Sequence, residues 1–354
     1  MKNLWKILLL MLCAALPLAA LAEDGARVMP EPYASASYSD PAAIPYPENR
    51  DENGYLTEGE FVFEDAEAGL WAYLSPTLQV QIVQYDGNWD KLDQRWFVAD
   101  VMFDTSAETF ARHVWHLDDA AGKDVLGLNS DGTRGNSNKD QAIWPKTLAQ
   151  CDRMVLAVNG DYYLDRMNSK STGNILRQGV VLRDITNGSG FPNLDSAAFY
   201  GDGSMKVFDA KETTATAQLA AGAHDMVSFG PWLVRDGQMR GYDGRNYDHR
   251  EPRLAIGMVE PGHYVIVDCE GRVPKGPRGL TIRELEALMY YSGANEAINM
   301  DGGNTSVLIF MGEKLNRTGH DTYISSPRNQ NELFGVGFSQ QVRTDWVNGE
   351  PKKK

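Results

Sequence analysis

The residues best suited to chemistry are carboxylates that directly follow apolar stretches of the chain. Asp301 comes after the short, mostly apolar segment 297–300 and is followed by Gly302 and Gly303. Glycine lets the backbone approach a ligand closely, so the pattern is typical of a strand end that meets a substrate. Asp-Gly-Gly is also an ordinary hairpin turn, and the segment alone leaves both interpretations open.

A second carboxylate has a similar setting. The segment 153–158, which is continuously apolar after Arg153, predicts a buried strand, and Asn159, Gly160 and Asp161 follow it. Two strands that end in acidic, glycine-containing turns can bring their carboxylates together. We therefore expect Asp161 and Asp301 to line one concave pocket.

An arginine at the start of another strand completes this predicted pocket. The period of two in residues 253–259 places Leu254, Ile256 and Met258 on one face and Arg253 with Ala255 and Gly257 on the other. Small residues beside one arginine favour a surface with room for a ligand. An arginine covered by a neighbouring loop fits the pattern equally well.

These residues require a framework rich in strands. The runs 78–83 and 96–103 predict a strand pair joined by a turn at Asp86-Gly87-Asn88. The clearest helix is 281–292, where Thr281 and Glu284 form a capping box and Gly293 ends the helix. The predicted fold class is α+β: a single domain built on a mixed, mostly antiparallel β-sheet with a few packed helices.

The chain divides into five segments by composition. Lys2 and Lys6, the apolar run that follows and Ala20-Leu21-Ala22 predict a signal peptide over residues 1–22. Residues 23–54 are rich in Pro, Ala, Ser, Tyr and acids without an apolar period, which predicts a disordered leader. An N-terminal β-rich part (55–150), a core (151–342) and a polar C-terminal tail (343–354) follow.

The charge of the chain excludes one class of partner. Its formal net charge is −14 at pH 7, whereas nucleic-acid binding needs a basic surface. We expect a secreted or cell-envelope protein with no stable membrane span.

Past the signal peptide, the only cysteines that remain are Cys151 and Cys269. We favour two buried free thiols, and one disulfide is the alternative.

Four sequence blocks, in order, resemble the phosphodiester glycosidase family. They are Ala157–Tyr163, Ser228–Pro231, Pro252–Met258 and Asn299–Ser306, and the resemblance covers about Val155 to Phe338. Two departures affect the site. Asp268 and Glu270 both stand where the family often has one acid, so either can face the site. Asn304 occupies a position that is frequently glycine in relatives.

The resemblance implies hydrolysis of a sugar joined through its anomeric oxygen to a phosphodiester. Arg253 is the first candidate to bind the phosphate, with Arg272 and Arg328 behind it, because a guanidinium matches phosphate oxygens. Asp301 and Asp161 are the candidate catalytic carboxylates at the anomeric carbon. The expected substrate-binding residues are Asn159, Gly160, Tyr162, Thr172, Gly173, Gly230, Asp268, Glu270, Arg272, Asn299, Gly302, Gly303, Asn304, Ser306 and Arg328.

The expected partner is a carbohydrate or sugar-phosphate substrate, without a cofactor. A divalent cation such as calcium at the Asp cluster stays open, because oxygen-rich sites suit hard cations, and no metal ligand is assigned. The alternative to an enzyme is a non-catalytic glycan-binding module on the same fold. The joint presence of Asp161, Arg253 and Asp301 favours the enzyme.

Overall fold

A computed structural model describes residues 27–114, 144–161, 173–185, 194–242, 248–317, 328, 330 and 332–344. The predicted signal peptide and the predicted substrate-binding residues Tyr162 and Thr172 lie outside the described residues, as does most of the predicted C-terminal tail.

The described residues form nineteen strands and three α-helices. In chain order they are β1 (Phe61–Asp65), β2 (Leu70–Leu74), β3 (Leu78–Trp89), β4 (Leu92–Phe103), β5 (Ala111–Val114), α1 (Pro145–Cys151), β6 (Met154–Asn159), β7 (Gly173–Arg177), β8 (Val180–Ile185), β9 (Asp195–Tyr200), β10 (Met205–Phe208), α2 (Ala215–Ala220), β11 (Ala223–Phe229), β12 (Trp232–Arg235), β13 (Gln238–Met239), β14 (Arg253–Glu260), β15 (His263–Cys269), α3 (Ile282–Tyr291), β16 (Glu296–Asn299), β17 (Leu308–Phe310), β18 (Glu313–Lys314) and β19 (Glu332–Phe338).

The strands are arranged in three sheets. The largest has nine strands in the order β1-β2-β3-β4-β15-β14-β16-β12-β13, and the other two have the orders β10-β9-β11-β7-β8 and β18-β17-β6-β19-β5. Strand β14 pairs antiparallel with both β15 and β16. The predicted α+β domain with mostly antiparallel strands is confirmed, and the strands are divided among three sheets where we expected one.

The two faces of the nine-stranded sheet contact different cores. Leu254 and Ile256 of β14 belong to the larger core, which also contains Phe334 and Val158 of the sheet that includes β6 and β19. The opposite face, which carries Ala255, packs against the helix α3. The period of two in β14 therefore decides which side chains meet the other sheets and which meet the helix.

Helix α3 begins and ends as the sequence predicts. Thr281 is its N-cap: the Thr281 side chain accepts a hydrogen bond from the backbone N–H of Glu284 at 3.2 Å, and the Glu284 carboxylate accepts one from the Thr281 N–H at 2.8 Å. Gly293 follows the helix with φ of +97°, a left-handed conformation that glycine adopts without strain. The helix covers the sheet just before the chain enters β16.

Residues 27–54 pack on the domain, in contrast to the predicted disordered leader. The Tyr33 ring meets Trp89 edge-on with 5.4 Å between centroids, Ser37 pairs with Asp86 in a β-bridge, and Ile44 is buried. These contacts use single aromatic residues and backbone hydrogen bonds. They leave no apolar period in the sequence, which is why composition alone favoured disorder.

Both cysteines of the described residues are free thiols, as favoured. Cys269 is buried in β15, where burial raises the pKa of its thiol, and Cys151 at the end of α1 is half-buried. Within the described ranges, no helix is both long and apolar enough to cross a membrane.

Candidate active site

The loop after β16 carries Asp301 and is called here the Asp301 loop (residues 299–307). Strand β16 pairs with β14 and β12, whereas the next strand, β17, belongs to another sheet. The hairpin interpretation of the Asp-Gly-Gly segment is therefore wrong. The Met300 and Gly303 N–H groups instead donate to the carbonyls of Leu254 at 2.8 Å and Pro252 at 2.9 Å.

Gly302 is required by a close backbone approach. A Cβ added at this position would lie 2.4 Å from the carbonyl oxygen of Pro252. Gly271 meets the other side of the same residue, since its added Cβ would lie 2.5 Å from the Pro252 nitrogen. Two glycines therefore allow the ends of β15 and β16 to close against the start of β14.

Two guanidinium groups lie beside this glycine turn. Arg328 Nη1 is 3.6 Å from Asp301 Oδ2, and their side chains are 45% and 17% exposed. The backbone N–H of Arg328 also donates to the carbonyl of Asn304 at 2.7 Å. A Cβ added to Gly303 would lie 3.4 Å from Arg272 Nη1, and Arg272 is itself paired with Glu251. A partly exposed carboxylate and two arginines thus surround the turn.

Asn159 positions this loop. Its fully buried side chain donates from Nδ2 to the Asp301 carbonyl at 2.7 Å and accepts at Oδ1 from the Val307 N–H at 3.0 Å. One amide therefore connects the end of β6 to both ends of the loop. Its predicted role in binding sugar gives way to this internal one.

Asp161 is buried and bonded within the protein. Its Oδ1 accepts from Arg177 Nη2 at 2.7 Å and its Oδ2 from the Ser228 N–H at 2.8 Å, and the residue is 1% exposed. Neighbouring Gly160 lies against Phe334, with 3.0 Å between an added Cβ and the ring. Both oxygens of the Asp161 carboxylate are therefore engaged within the protein.

Arg253 donates to two backbone carbonyls, which favours the interpretation of an arginine covered by a neighbouring segment. Its Nε donates to the Leu280 carbonyl at 2.6 Å and its Nη2 to the His249 carbonyl at 2.7 Å. Burial lowers the pKa of its guanidinium. No hydrogen bond or ion pair among the described residues joins Arg253 to Asp161 or Asp301, so the structure gives no support to a pocket shared by all three.

The two acids at the end of β15 have different partners. Asp268 is fully buried and accepts from Ser306 Oγ at 2.6 Å, and burial raises the pKa of its carboxyl to about 7. Glu270 instead accepts from the backbone and the side chain of Arg317, both at 2.8 Å. Asp268, through Ser306, is the acid connected to the Asp301 loop.

Asn299 and Gly230 join the other side of the loop to the sheet that contains β11. Asn299 Nδ2 donates to the Gly230 carbonyl at 2.7 Å, and the Gly230 N–H donates to the Asn299 carbonyl at 3.0 Å. Gly230 has φ of +81°. Gly173 at the start of β7 is close to Ser228, with 2.9 Å between its added Cβ and that of Ser228. The predicted glycines here serve backbone packing.

Within the described part of the chain, three buried side-chain oxygens of the loop lack hydrogen-bond partners. They are Oδ1 of Asn299, Oδ1 of Asn304 and Oγ1 of Thr305. A buried acceptor without a donor costs about 1–3 kcal/mol, so such atoms suit the hydroxyl groups of a ligand or water. Across the described ranges no group of three or more His, Cys, Asp or Glu could hold a metal ion.

Arg177 and Glu332, which lie beside Asp161, were not predicted from the sequence. Arg177 Nη2 is 3.0 Å from Glu332 Oε1, and Arg177 has no exposed surface. The only available signal was a charged residue directly after the apolar pair Ile175-Leu176. Nothing in the sequence indicates that Glu332 is its partner.

Comparison with known proteins agrees with the motifs around Asp161 and Asp301. The sequence profile of the phosphodiester glycosidase family matches residues 152–336. The SPbeta prophage-derived protein YomE of Bacillus subtilis strain 168 is 29% identical over 187 residues, which are 51% of this chain and 28% of that protein. The chain thus spans little more than a quarter of this curated relative.

Solved structures show the likeness of the fold. The catalytic domain of zebrafish N-acetylglucosamine-1-phosphodiester alpha-N-acetylglucosaminidase, auto-inhibited by its pro-peptide, superposes with a TM-score of 0.52 at 16% identity, covering 79% of this chain and 89% of that one. A protein from Synechocystis gives a TM-score of 0.47 at 14% identity, covering 74% and 62%.

The family profile extends over more than half of the chain and includes β6, β14, β16 and the Asp301 loop. The same elements bring together the four blocks that resemble the family in sequence. The chain belongs to the phosphodiester glycosidase family.

Proposed function

We propose that this chain is an exported hydrolase that cleaves sugar-1-phosphodiesters in glycans or in envelope or extracellular polymers. Membership of the phosphodiester glycosidase family supports a hydrolase acting on phosphodiester-linked glycans. The observation that carries the proposal is the Asp301 carboxylate, which lies 3.6 Å from Arg328 at a glycine turn that Arg272 also borders.

Each part of this arrangement has a role in the proposed reaction. Arg272 and Arg328 bind the phosphodiester, since a guanidinium has five N–H donors in a planar fork that suits phosphate oxygens. Asp301 stabilises the positive charge that develops at the anomeric carbon or activates the attacking water. The phosphodiester is a good leaving group once its charge is bound, so it needs less proton donation than an alcohol would.

The geometry alters two of the assignments made from sequence. Arg253 donates to two backbone carbonyls, so we transfer the binding of phosphate to Arg272 and Arg328. Asp161 is bonded to Arg177 and to Ser228, so we assign the chemistry at the anomeric carbon to Asp301 and a positioning role to Asp161.

A release assay tests the proposal directly. Wild-type protein is incubated with a panel of sugar-1-phosphodiesters, and the freed sugar is measured. Asp301→Asn keeps the size of the side chain and removes its charge, so turnover should fall by at least about a hundredfold while the KM changes little. Near-normal turnover of Asp301→Asn would remove this residue from catalysis.

The second candidate function is a non-catalytic glycan-binding module. The unpartnered Oδ1 atoms of Asn299 and Asn304 favour it, because buried acceptors can bind sugar hydroxyls without chemistry. Calorimetry with the same panel separates the two functions. A binding module binds the sugars and releases none, and its affinity is unchanged in Asp301→Asn unless that carboxylate contacts the sugar.

Export is the remaining part of the proposal and rests on residues 1–22. Sequencing the N-terminus of protein recovered from outside the cytoplasm tests it. A mature chain that begins close to Glu23 supports export through cleavage of the signal peptide, whereas a chain that keeps Met1 contradicts it.

A further inference from the structure

Three charged side chains form a buried group beside the proposed site, called here the buried triad (Asp161, Arg177 and Glu332). Arg177 has no exposed surface, and Asp161 and Glu332 are 1% and 2% exposed. Arg177 donates to Asp161 from Nη2 at 2.7 Å and to Glu332 from Nε at 3.0 Å. The guanidinium also lies over the ring of Phe334, with 5.5 Å to the centroid.

We propose that Arg177 and Glu332 are positioning residues, which fix the Asp161 carboxylate and through it the Asp301 loop. The inference deepens the proposed function and rests on it where turnover is the readout. Neither residue is expected to touch the substrate.

The first connection from Asp161 to the loop runs back along the chain to Asn159, the last residue of β6. Asp161 is two residues from Asn159, whose Nδ2 donates to the Asp301 carbonyl at 2.7 Å. The same side chain accepts from the Val307 N–H at 3.0 Å. A shift of the Asp161 carboxylate therefore moves the amide that holds both ends of the loop.

The second connection runs through the end of β11. Asp161 Oδ2 accepts from the Ser228 N–H at 2.8 Å. Two residues further on, Gly230 and Asn299 exchange two hydrogen bonds. Asn299 Nδ2 donates to the Gly230 carbonyl at 2.7 Å, and the Gly230 N–H donates to the Asn299 carbonyl at 3.0 Å. Asp161 is thus joined to the Asp301 loop in two ways, through the backbone to Asn159 and through its Oδ2 to Ser228, while its Oδ1 accepts from Arg177. The two connections reach the loop at Asp301 and at Asn299.

Arg177 allows this carboxylate to be buried. A buried charge is tolerated when it is paired and hydrogen-bonded, and removal of one partner leaves the other uncompensated. Without Arg177 two carboxylates would face one another in the interior, and one of them would take up a proton. A protonated or displaced Asp161 cannot accept both hydrogen bonds in the same geometry.

Two variants separate positioning from stability. Arg177→Gln removes the cation. The double variant Arg177→Gln/Glu332→Gln removes one carboxylate as well, so the like-charge pair is absent and we expect this variant to be more stable than the single variant. Both are assayed for sugar release from a phosphodiester substrate, with thermal unfolding as the measure of folding. The matched control is Arg235→Gln/Glu212→Gln. This ion pair is partly exposed, and Arg235 Nη1 donates to Glu212 Oε2 at 2.8 Å.

The positioning role predicts a specific kinetic result. In the double variant kcat should fall by at least about tenfold, because small misplacements of reacting groups are costly, while the KM stays within about threefold and the protein is folded. The control pair should keep wild-type kcat. A folded double variant with wild-type kcat would overturn the inference and leave the triad a purely structural element.

A measurement independent of activity keeps this test distinct from that of the proposed function. Hydrogen–deuterium exchange should be faster at the amides of Met300, Gly303 and Val307 in the folded double variant, since each donates a hydrogen bond that holds the loop. The control pair should leave these amides unchanged. If the wild type releases no sugar, the proposed function fails, and hydrogen–deuterium exchange alone tests the positioning role. Unchanged exchange at the loop amides of the folded double variant would then overturn the positioning role.

Discussion

At the scale of single residues, two carboxylates from similar sequence motifs lie in different surroundings. Asp301 is 17% exposed and lies 3.6 Å from a guanidinium that is itself 45% exposed. Asp161 is 1% exposed and bonded to a fully buried arginine. A group that must meet a substrate needs access to it, so these surroundings favour chemistry at Asp301 and support at Asp161.

The arginines beside Asp301 should control recognition of phosphate. Arg272→Lys and Arg328→Lys keep the charge and lose the planar fork. Each should lower kcat/KM for a sugar-1-phosphodiester by more than for a neutral aryl glycoside of the same sugar. Steady-state kinetics on the two substrates check this. Equal losses on both would show that neither arginine binds the phosphate.

Arg253→Lys is the comparison variant for that prediction. Because Arg253 donates to the carbonyls of Leu280 and His249, its replacement should lower the melting temperature without changing the preference between the two substrates. A selective loss on the phosphodiester would return Arg253 to the role that the sequence indicated.

Asp268 should make stability depend on pH. Burial raises the pKa of this carboxyl to about 7 in the folded protein, whereas an unfolded aspartate has a pKa of about 3.9. Unfolding therefore releases a proton between these values, so the group's contribution to stability is fully present below about pH 4 and is lost as the pH rises towards 7.

The variant Asp268→Asn tests this dependence. It stays neutral throughout, so the free energy of unfolding from denaturant titrations should change less between about pH 4 and 7 than in the wild type. Equal slopes in the two proteins would contradict the assignment. Activity is not needed for this measurement.

At the scale of elements, glycines set how closely the strand ends approach each other. The carbonyl of Pro252 lies 2.4 Å from the position of a Cβ on Gly302, and its nitrogen lies 2.5 Å from that of a Cβ on Gly271. Real Cβ atoms do not approach backbone so closely, so one of the segments would have to move. The geometry of the Asp301 loop therefore depends on these two glycines.

Gly302→Ala should displace the Asp301 loop. The added methyl must push against backbone, and overpacking of this kind costs about 1–3 kcal/mol. We expect both a lower melting temperature and a clear fall in turnover. The control is Gly201→Ala in the turn between β9 and β10, where an added Cβ meets nothing within 4 Å and both properties should be retained.

Local elements could be predicted from the sequence because their signals lie close together. The capping box of α3 spans residues 281 to 284, and the structure contains it. The turn between β3 and β4 was misplaced: the reversal occurs at Asp90 and Lys91, both with positive φ. Gly87 lies within β3, where an added Cβ would meet the Trp89 ring at 2.2 Å, so this glycine serves packing.

The surroundings of the site could be predicted only in part. The motifs identified Asp301, Asn159 and Asp161, but not what each side chain contacts. Asn159 and Asp301 are 142 residues apart, and Arg177 and Glu332 are 155 apart. No local pattern encodes which distant residue pairs with which, so the role of each carboxylate required the three-dimensional arrangement.

At the scale of the whole molecule, the Asp301 loop is bonded to residues in or directly after strands of all three sheets, at Asn159, Gly230 and Leu254. The N-terminal segment supports this arrangement from outside. Arg27 donates to the carbonyls of Tyr290 at 3.0 Å and Ala294 at 2.6 Å, at the end of α3. Further along, Tyr46 donates to Gln81 of β3 at 2.8 Å. Residues 27–54 therefore connect the helix with β3 of the nine-stranded sheet.

Deletion of residues 23–54 should lower the melting temperature markedly. The deletion removes the Tyr33–Trp89 contact and the buried side chain of Ile44, and it exposes the apolar surface that they cover. Thermal unfolding of the truncated and full mature chains checks this. An unchanged melting temperature would show that the segment adds no stability.

The long-range anchoring of the Asp301 loop has a consequence for how the protein matures. Its supports come from β6, from the link between β11 and β12, and from β14. Closing such distant contacts is slow compared with forming local ones. We therefore expect the loop to take its final geometry late in folding, after all of these supports are in place. Under the proposed function, a chain exported unfolded would become an active hydrolase only once it has folded outside the cytoplasm.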